Sequence, residues 1–488
     1  MRLCDAGLSE LPEGVGIPRY DRTRLAAGIV HLGVGNFCRA HHALYLDDLF
    51  SAGLAQDWAV SGVGITPGDA AMRDALLPQD CLYTLTEKSA DQRWASRVIG
   101  AIREYHYSPD DPGLVVERIA DPAIRIVSLT ITEGGYDIDN LTGDFLGASD
   151  MVRADLASER PSRTAFGLVL EAMRVRRAAG TGGLTIMSCD NVQGNGHVAR
   201  SAFLGFARLK DPDLASWMED NVTFPNSMVD RVTPRTVDAD RAYLEEKYGL
   251  TDRWPVTCEP FRQWVLEDTF AAGRPPYEDA GVEIVSDVVP YELVKLRLAN
   301  GTHQALCYFG HLLGLQYVHE AVADPDIHAM LLTYLDEEAI PTLDPIGGVD
   351  FAAYGRTVLE RFGNPQIRDS LSRICEDTSD RIPKFLLPGV FSQLEHGRRV
   401  QVCAAVVASW ARYAEGVDEA GGAIDVRDPL RDDLMRRASE RRSNPLAFLQ
   451  NRVVFGDLAD RPEFVASYLR ALETFHSGGA RAVLKQLS

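Results

Sequence analysis

The chain has 488 residues, 45% hydrophobic and 25% charged, enough for two or three domains around large buried cores. A formal net charge of −20 and a pI near 5.0 exclude a nucleic-acid or anionic-membrane surface, which would need clustered Lys and Arg. No apolar run approaches the roughly 20 residues of a membrane span. The N-terminal MRLCDAGLSELPEG lacks the basic-then-apolar layout of a secretory signal, and the eight cysteines are scattered without a CxxC pair, so a cytoplasmic protein with reduced thiols and no zinc site is expected.

Residues 1–27 are loop-rich, broken by Pro12, Gly14, Gly16 and Pro18. The stretch GIVHLGVGNFCRAHHALYLDDLF, Gly28 to Phe50, predicts a buried strand, a glycine turn and a helix with Phe37, Ala40 and Leu44 on one face. Trp58 to Ile65 predicts a second strand, and strand, turn, helix, strand is how a Rossmann unit begins. Gly33 and Gly35 supply the first two glycines of GxGxxG, which allow a tight turn and a close approach of a pyrophosphate; Cys38 takes the third place. Asn36 and Phe37, next in the turn, join these glycines as candidate cofactor contacts. The acid expected about 20 positions on is absent from the strand's end. Asp69 is the substitute candidate for the ribose hydroxyls, or else it caps a helix starting at Ala70. No Lys or Arg precedes Arg73 to meet a 2′-phosphate, which favours NAD over NADP.

Ile124 to Thr132 and Gly183 to Asn191 predict two further strands, joined through a helix over Ser162 to Gly180. Ligands of open parallel sheets gather at the carboxyl ends of strands, which marks Glu133 and Asn191 as candidates. Pro225 to Arg235 reads as a loop carrying Asp230 and Arg231, Pro255 to Asp268 as a return to the sheet, and Gly281 to Val288 as the last strand of the first half. A Rossmann-type domain over residues 1–288 and a mainly α-helical domain over 289–488 follow. In the second, Ile327, Met330, Leu331, Tyr334 and Leu335 form an apolar stripe, Arg399 to Tyr413 is apolar nearly all round, and Phe464 to Leu472 follow Pro462 as an amphipathic helix. Ile340 to Asp350 is expected as a loop.

The first helix of that domain carries KLRLANGTH, Lys295 to His303. On a regular helix with Lys295 at zero, His303 falls at roughly 80° and Asn300 at roughly 140°, over a rise of about 12 Å. An amine, an amide and an imidazole on one broad face suit proton transfer from an alcohol. The same pattern also fits a helix end at Asn300-Gly301, with Lys295 solvated and His303 in the core.

Five blocks, GVGNFCRAH, SLTITEGGY, SCDN, FPNSMVDR and KLRLANGTH, occur in order along the chain, and together they resemble the polyol-specific long-chain dehydrogenases. The resemblance implies a Rossmann-type domain followed by a helical one, and metal-independent, NAD-dependent interconversion of a polyol and a ketose. D-Mannitol and D-fructose are the first expected pair, with D-arabinitol, D-sorbitol, or a fructuronate or tagaturonate reductase as alternatives. By the same resemblance Lys295 is the general base, Asn191 and Asn300 hold the reacting oxygen, and His303 contacts the substrate. Asp230 and Arg373 bind polyol hydroxyls, and Glu292 helps the lysine exchange its proton. Arg381 stands where relatives often have lysine, and Gly68 where NAD-preferring relatives can carry a second acid. The expected partners are small molecules only, for a monomer or small homo-oligomer.

Overall fold

β-Branched and apolar runs set the first unit. In the computed structural model, which describes residues 1–139, 142–158 and 162–487, five strands form one parallel sheet. Their spatial order is Ile102–Tyr107, Ala59–Gly64, Ala27–Leu32, Ile126–Leu129, Thr185–Ser188. Numbered along the chain this is 3-2-1-4-5, the Rossmann order, and the switch point lies between Ala27–Leu32 and Ile126–Leu129. Every residue of Ala27–Leu32 is buried, as both faces of a parallel sheet must be. The crossover helix Ala165–Ala179 is capped by Thr164, whose side chain accepts from Gly167 N, and ends at Gly180 with φ +68°.

Two expectations need correction. Within the supposed loop Pro225 to Arg235, Ser227–Asp230 is a strand, antiparallel to Gln263–Glu267 with Val229 opposite the fully buried Trp264. The stretch Pro255 to Asp268 does not return to the parallel sheet. Val256–Cys258 pairs with Tyr83–Lys88 in a four-stranded sheet, and Gln263–Glu267 lies between Ser227–Asp230 and Glu283–Val285 in a three-stranded one. In both cases pairing with a segment far along the chain decides the outcome, and no local period reports it.

The chain divides into two compact units, Met1–Val289 and Pro290–Ser488. The second is helical, and its centre is Gln401–Tyr413, with eleven of thirteen residues buried. That helix packs on the stretch Pro462–Leu487, which bends at Gly479. The stripe Ile327 to Leu335 is buried as expected, but Tyr334–Ala339 is wound as a π turn, and Ile340–Thr342 is a short 3₁₀ turn at the head of the expected loop. Buried Glu338, in the π turn, accepts from Val402 N (2.7 Å) and Cys403 N (2.8 Å), satisfying two first-turn donors of the central helix. Glu338→Ala is expected to leave both buried donors unpaired and to lower the stability of the helical unit by about 2–4 kcal/mol, read as a drop in its urea midpoint.

Candidate active site

At the switch point Gly33 has φ +90°, and a Cβ there would stand 2.3 Å from Thr130 O, so no other residue fits. Thr130 Oγ1 donates to Gly33 O (2.6 Å) and meets His31 Nε2 (2.9 Å), while His31 Nδ1 meets Ser128 Oγ (2.8 Å). Burial pushes the His31 imidazole down to about 4, so it is neutral at physiological pH. Gly35 borders open space instead: the nearest atom to a Cβ on it would be Gly33 O at 3.9 Å. It precedes the short helix Asn36–Ala40, and the bare backbone there leaves the room and the N–H groups that a dinucleotide pyrophosphate needs. The residues present therefore fit such a cofactor.

The side chains of Asn36 and Phe37 are engaged by the protein itself. Asn36 Nδ2 donates to Pro234 O (2.9 Å) and Thr236 Oγ1 (3.1 Å), and its Oδ1 accepts from Arg39 (2.7 Å). Phe37 stacks on His41, ring centroids 4.8 Å apart. Asp69 Oδ2 accepts from Ile65 N, Thr66 N and Thr66 Oγ1 at 3.0, 2.8 and 2.9 Å, so this carboxylate fixes the turn ahead of the helix Ala70–Leu76. Arg73 is taken up by Asp74 (2.9 Å) and Asp110 (2.7 Å) and lies over the Tyr107 ring.

Glu133 and Asn191 are both exposed at the carboxyl ends of neighbouring strands, and one residue that the sequence analysis gave no role ties those ends together. Buried Asp190 accepts from Ile131 N (3.1 Å), Thr132 N (2.9 Å) and Tyr136 Oη (2.7 Å), and Tyr136 Oη also meets Ser188 Oγ (2.7 Å). Thr132, next to Glu133, has φ +66°, a conformation that a β-branched residue holds only under such bracing. Burial raises the Asp190 carboxyl above its ordinary value, opposed by these hydrogen bonds. An acid directly before Asn191 at a strand end was the available signal. Asp230 ends the strand Ser227–Asp230 and is 9% exposed. Its neighbour Arg231 is buried and structural, donating to Ala40 O (2.6 Å), to Glu259 O (3.0 and 2.8 Å) and to Glu87.

In the second unit the helix Val289–Val294 passes into a π turn, Lys295–Asn300, and then into the α-helix Gly301–Leu312. The regular wheel therefore does not hold across this stretch. An i→i+5 turn is wider than an α turn, and it brings Asn300 back toward the line of Lys295 instead of roughly 140° away. Glu292 is 5% and Lys295 8% exposed, so the solvated lysine of the alternative reading is ruled out. Asn300 and His303 are half-buried, and the His303 ring lies flat on Phe362, centroids 3.7 Å apart. Exposed Arg373 is held by Asp369 through two hydrogen bonds (2.8 and 2.5 Å), and Arg381 donates to the carbonyls of Arg373 (3.2 Å) and Ile374 (3.1 Å). Among the described residues no group of three or more His, Cys, Asp or Glu is placed to hold a metal ion, and no helix is long and apolar enough to cross a membrane.

A parallel sheet of Rossmann order with an open glycine turn at its switch point is the architecture of a dinucleotide-binding protein. Residues 27–279 match the family model of the mannitol dehydrogenase Rossmann domain, and residues 287–476 that of the mannitol dehydrogenase C-terminal domain. The chain is 43% identical over 493 residues to a mannitol 2-dehydrogenase of Phaeosphaeria nodorum, covering 100% of this chain and 85% of that protein. Its structure is similar to the Pseudomonas fluorescens mannitol 2-dehydrogenase ternary complex with NAD and D-mannitol, with TM-score 0.89, 41% identity, and 100% and 99% of the two chains covered. It is also similar to a substrate-free D-sorbitol dehydrogenase, with TM-score 0.93, 39% identity, and 99% and 100% covered. The chain belongs to the mannitol dehydrogenase family and is an NAD-dependent oxidoreductase.

Two measurements test this description of the first unit. Gly33→Ala forces a Cβ against Thr130 O and should weaken NADH binding at least tenfold in a fluorescence titration. The second concerns pH. Unfolded histidine takes its proton near pH 6.5, whereas folded His31 does so only near 4, so its contribution to stability is complete above 6.5 and is lost as pH falls through that window, by about 1.4 kcal/mol per pH unit. His31→Asn should show a correspondingly shallower acid slope in unfolding free energy.

Proposed function

We propose that the chain oxidises D-mannitol to D-fructose, reversibly and without a metal, with Lys295 as the general base. The observation that carries this reading is a lysine amine buried on the same turn as the Asn300 carboxamide, in a chain 41% identical to an enzyme captured with NAD and D-mannitol. Bound NAD supplies the hydride acceptor. Everything else falls to side chains of this protein. In its neutral form the Lys295 amine takes the proton of the reacting hydroxyl. The carboxamides of Asn191 and Asn300 donate to the same oxygen as negative charge develops on it, and fixed neutral donors do this without reorganisation. Glu292, three residues before Lys295 and likewise buried, hands the lysine proton onward.

His303, kept flat by Phe362, contacts the substrate beside the reacting carbon, and Asp230 and Arg373 each fix outlying hydroxyls. Gly33, Gly35, the backbone of Asn36 and Phe37, Asp69 and Glu133 form the cofactor cradle, and the paired state of Arg73 supports NAD over NADP. The likeness to a D-sorbitol dehydrogenase favours D-sorbitol as the second substrate reading. Eight unpaired cysteines, seven of them buried, suit a reducing compartment, and the cytoplasm is the proposed setting.

Lys295→Ala should lower kcat by at least about a thousandfold while NADH still binds; unchanged turnover would exclude the proposed base. Prolonged incubation with EDTA should leave activity intact. In a panel of C5 and C6 polyols, D-mannitol with NAD should give the highest kcat/KM, and a clear preference for D-sorbitol or for NADP would replace the corresponding assignment.

A further inference from the structure

A π turn holds one residue more than the α ladder accommodates, so a carbonyl is separated from the amide it would otherwise accept, and something else must hold the turn open. In Lys295–Asn300 the displaced pair is identifiable. Gly301 N–H, which an α turn would bring to Arg297 O, bonds to Leu296 O. The Arg297 carbonyl accepts from Tyr334 Oη at 2.8 Å, from a side chain only 2% exposed.

Tyr334 can reach that carbonyl because position 301 is glycine. A Cβ there would stand 2.1 Å from Tyr334 Oη but 3.2 Å from its Cζ, so it is the hydroxyl, more than the ring, that needs the missing side chain. Here the backbone of glycine is ordinary helix, φ −60°, so space and not conformational freedom is the reason for it. The contact is further anchored. Arg297 donates to the carbonyl and to Oγ1 of Thr342, the latter at 2.9 Å, and Tyr334 opens the π turn whose Glu338 caps the central helix.

We infer that Tyr334 and Gly301 are positioning residues for the reaction: the Tyr334 hydroxyl occupies the Arg297 carbonyl, keeps Lys295–Asn300 in its π winding, and so aligns the Lys295 amine with the Asn300 carboxamide. The inference rests on the reading of Lys295 as the base. Without the hydroxyl, Arg297 O recaptures Gly301 N–H, the turn sheds its extra residue, and Lys295 swings by roughly 100° relative to Asn300. Neither Tyr334 nor Gly301 touches the reacting atoms in this account.

The test is a cycle of Tyr334→Phe, Gly301→Ala and the double variant, with Lys295→Ala beside it, in the full-length enzyme. Tyr334→Phe should lower kcat ten- to a hundredfold, displace the acid limb of the kcat–pH profile, and leave NADH affinity within twofold. Gly301→Ala should lose kcat to a similar extent and also lower the unfolding midpoint. In the double variant the midpoint should recover to that of Tyr334→Phe, because the clashing hydroxyl is gone, and kcat should fall no further. Tyr334→Phe with kcat within twofold and an unmoved pH limb overturns the positioning role, as does a Gly301→Ala midpoint loss that persists undiminished in the double variant. Should Lys295→Ala keep its turnover and acid limb, the base assignment fails and takes the positioning role with it, while recovery of the midpoint would still report the contact between residues 301 and 334.

Discussion

The hydrogen bond from the Tyr334 hydroxyl to the Arg297 carbonyl is the constraint on which the winding of Lys295–Asn300 depends, because a π turn leaves that carbonyl without its helical amide. A buried carbonyl deprived of its amide costs about 1–3 kcal/mol unless another donor replaces it. Tyr334 is that donor. Behind it Glu338, four residues on, is pinned to the first turn of the central helix Gln401–Tyr413, so the irregular turn is tied to the buried centre of the unit.

The first unit solves the same problem with a carboxylate. Asp190 accepts two backbone N–H groups from a loop whose Thr132 is in the left-handed region, and it adjoins Asn191 in the chain. The positions of Glu133 and Asn191 are thereby coupled through one buried acid and the hydroxyl of Tyr136. The glycine turn is secured in a parallel way, by Thr130 and a neutral His31 beneath it. In each case a candidate site sits on backbone whose irregular hydrogen bonds are closed by a buried side chain.

How much of this was legible follows from where the information lies. The strands Ala27–Leu32, Ala59–Gly64, Ile126–Leu129 and Thr185–Ser188 and the helices Ala165–Ala179 and Gln401–Tyr413 announce themselves because their burial pattern is local. Ser227–Asp230 does not, since its partner begins at Gln263, and neither does the hairpin of Tyr83–Lys88 with Trp94–Ile99, whose residues suit a strand only once paired. The candidate site residues of the second unit could be picked out as types, but not placed. KLRLAN has ordinary helical propensity, and its π winding is imposed by a tyrosine 37 positions from Arg297 in the chain. Asp190 could have been noticed as a strand-end acid, whereas the role of Gly301 is invisible without knowing what packs against it.

Charge poses the last question, since a chain of net charge −20 must hold an anionic dinucleotide. Long-range attraction is of no help, but at physiological ionic strength surface charges are screened within about 8 Å, so local groups decide. Two buried guanidiniums lie beside the turn, but both are countered by carboxylates. Arg39 lies within the helix that follows the glycine turn, and the hydrogen-bond acceptors it meets are all neutral: Gly35 O, Trp254 O and Asn36 Oδ1. Arg231 reaches the carbonyl of Ala40 at the end of the same helix. Burial lowers the pKa of Arg39 from its ordinary value, yet a guanidinium satisfied by carbonyls stays charged at neutral pH. The Asp252 carboxylate acts on Arg39 as a counter-charge and Glu87 pairs with Arg231, so neither guanidinium is a bare positive charge facing the turn. The anion is met at short range by the N–H groups of the turn, while the acidic surface is screened, so the two do not conflict.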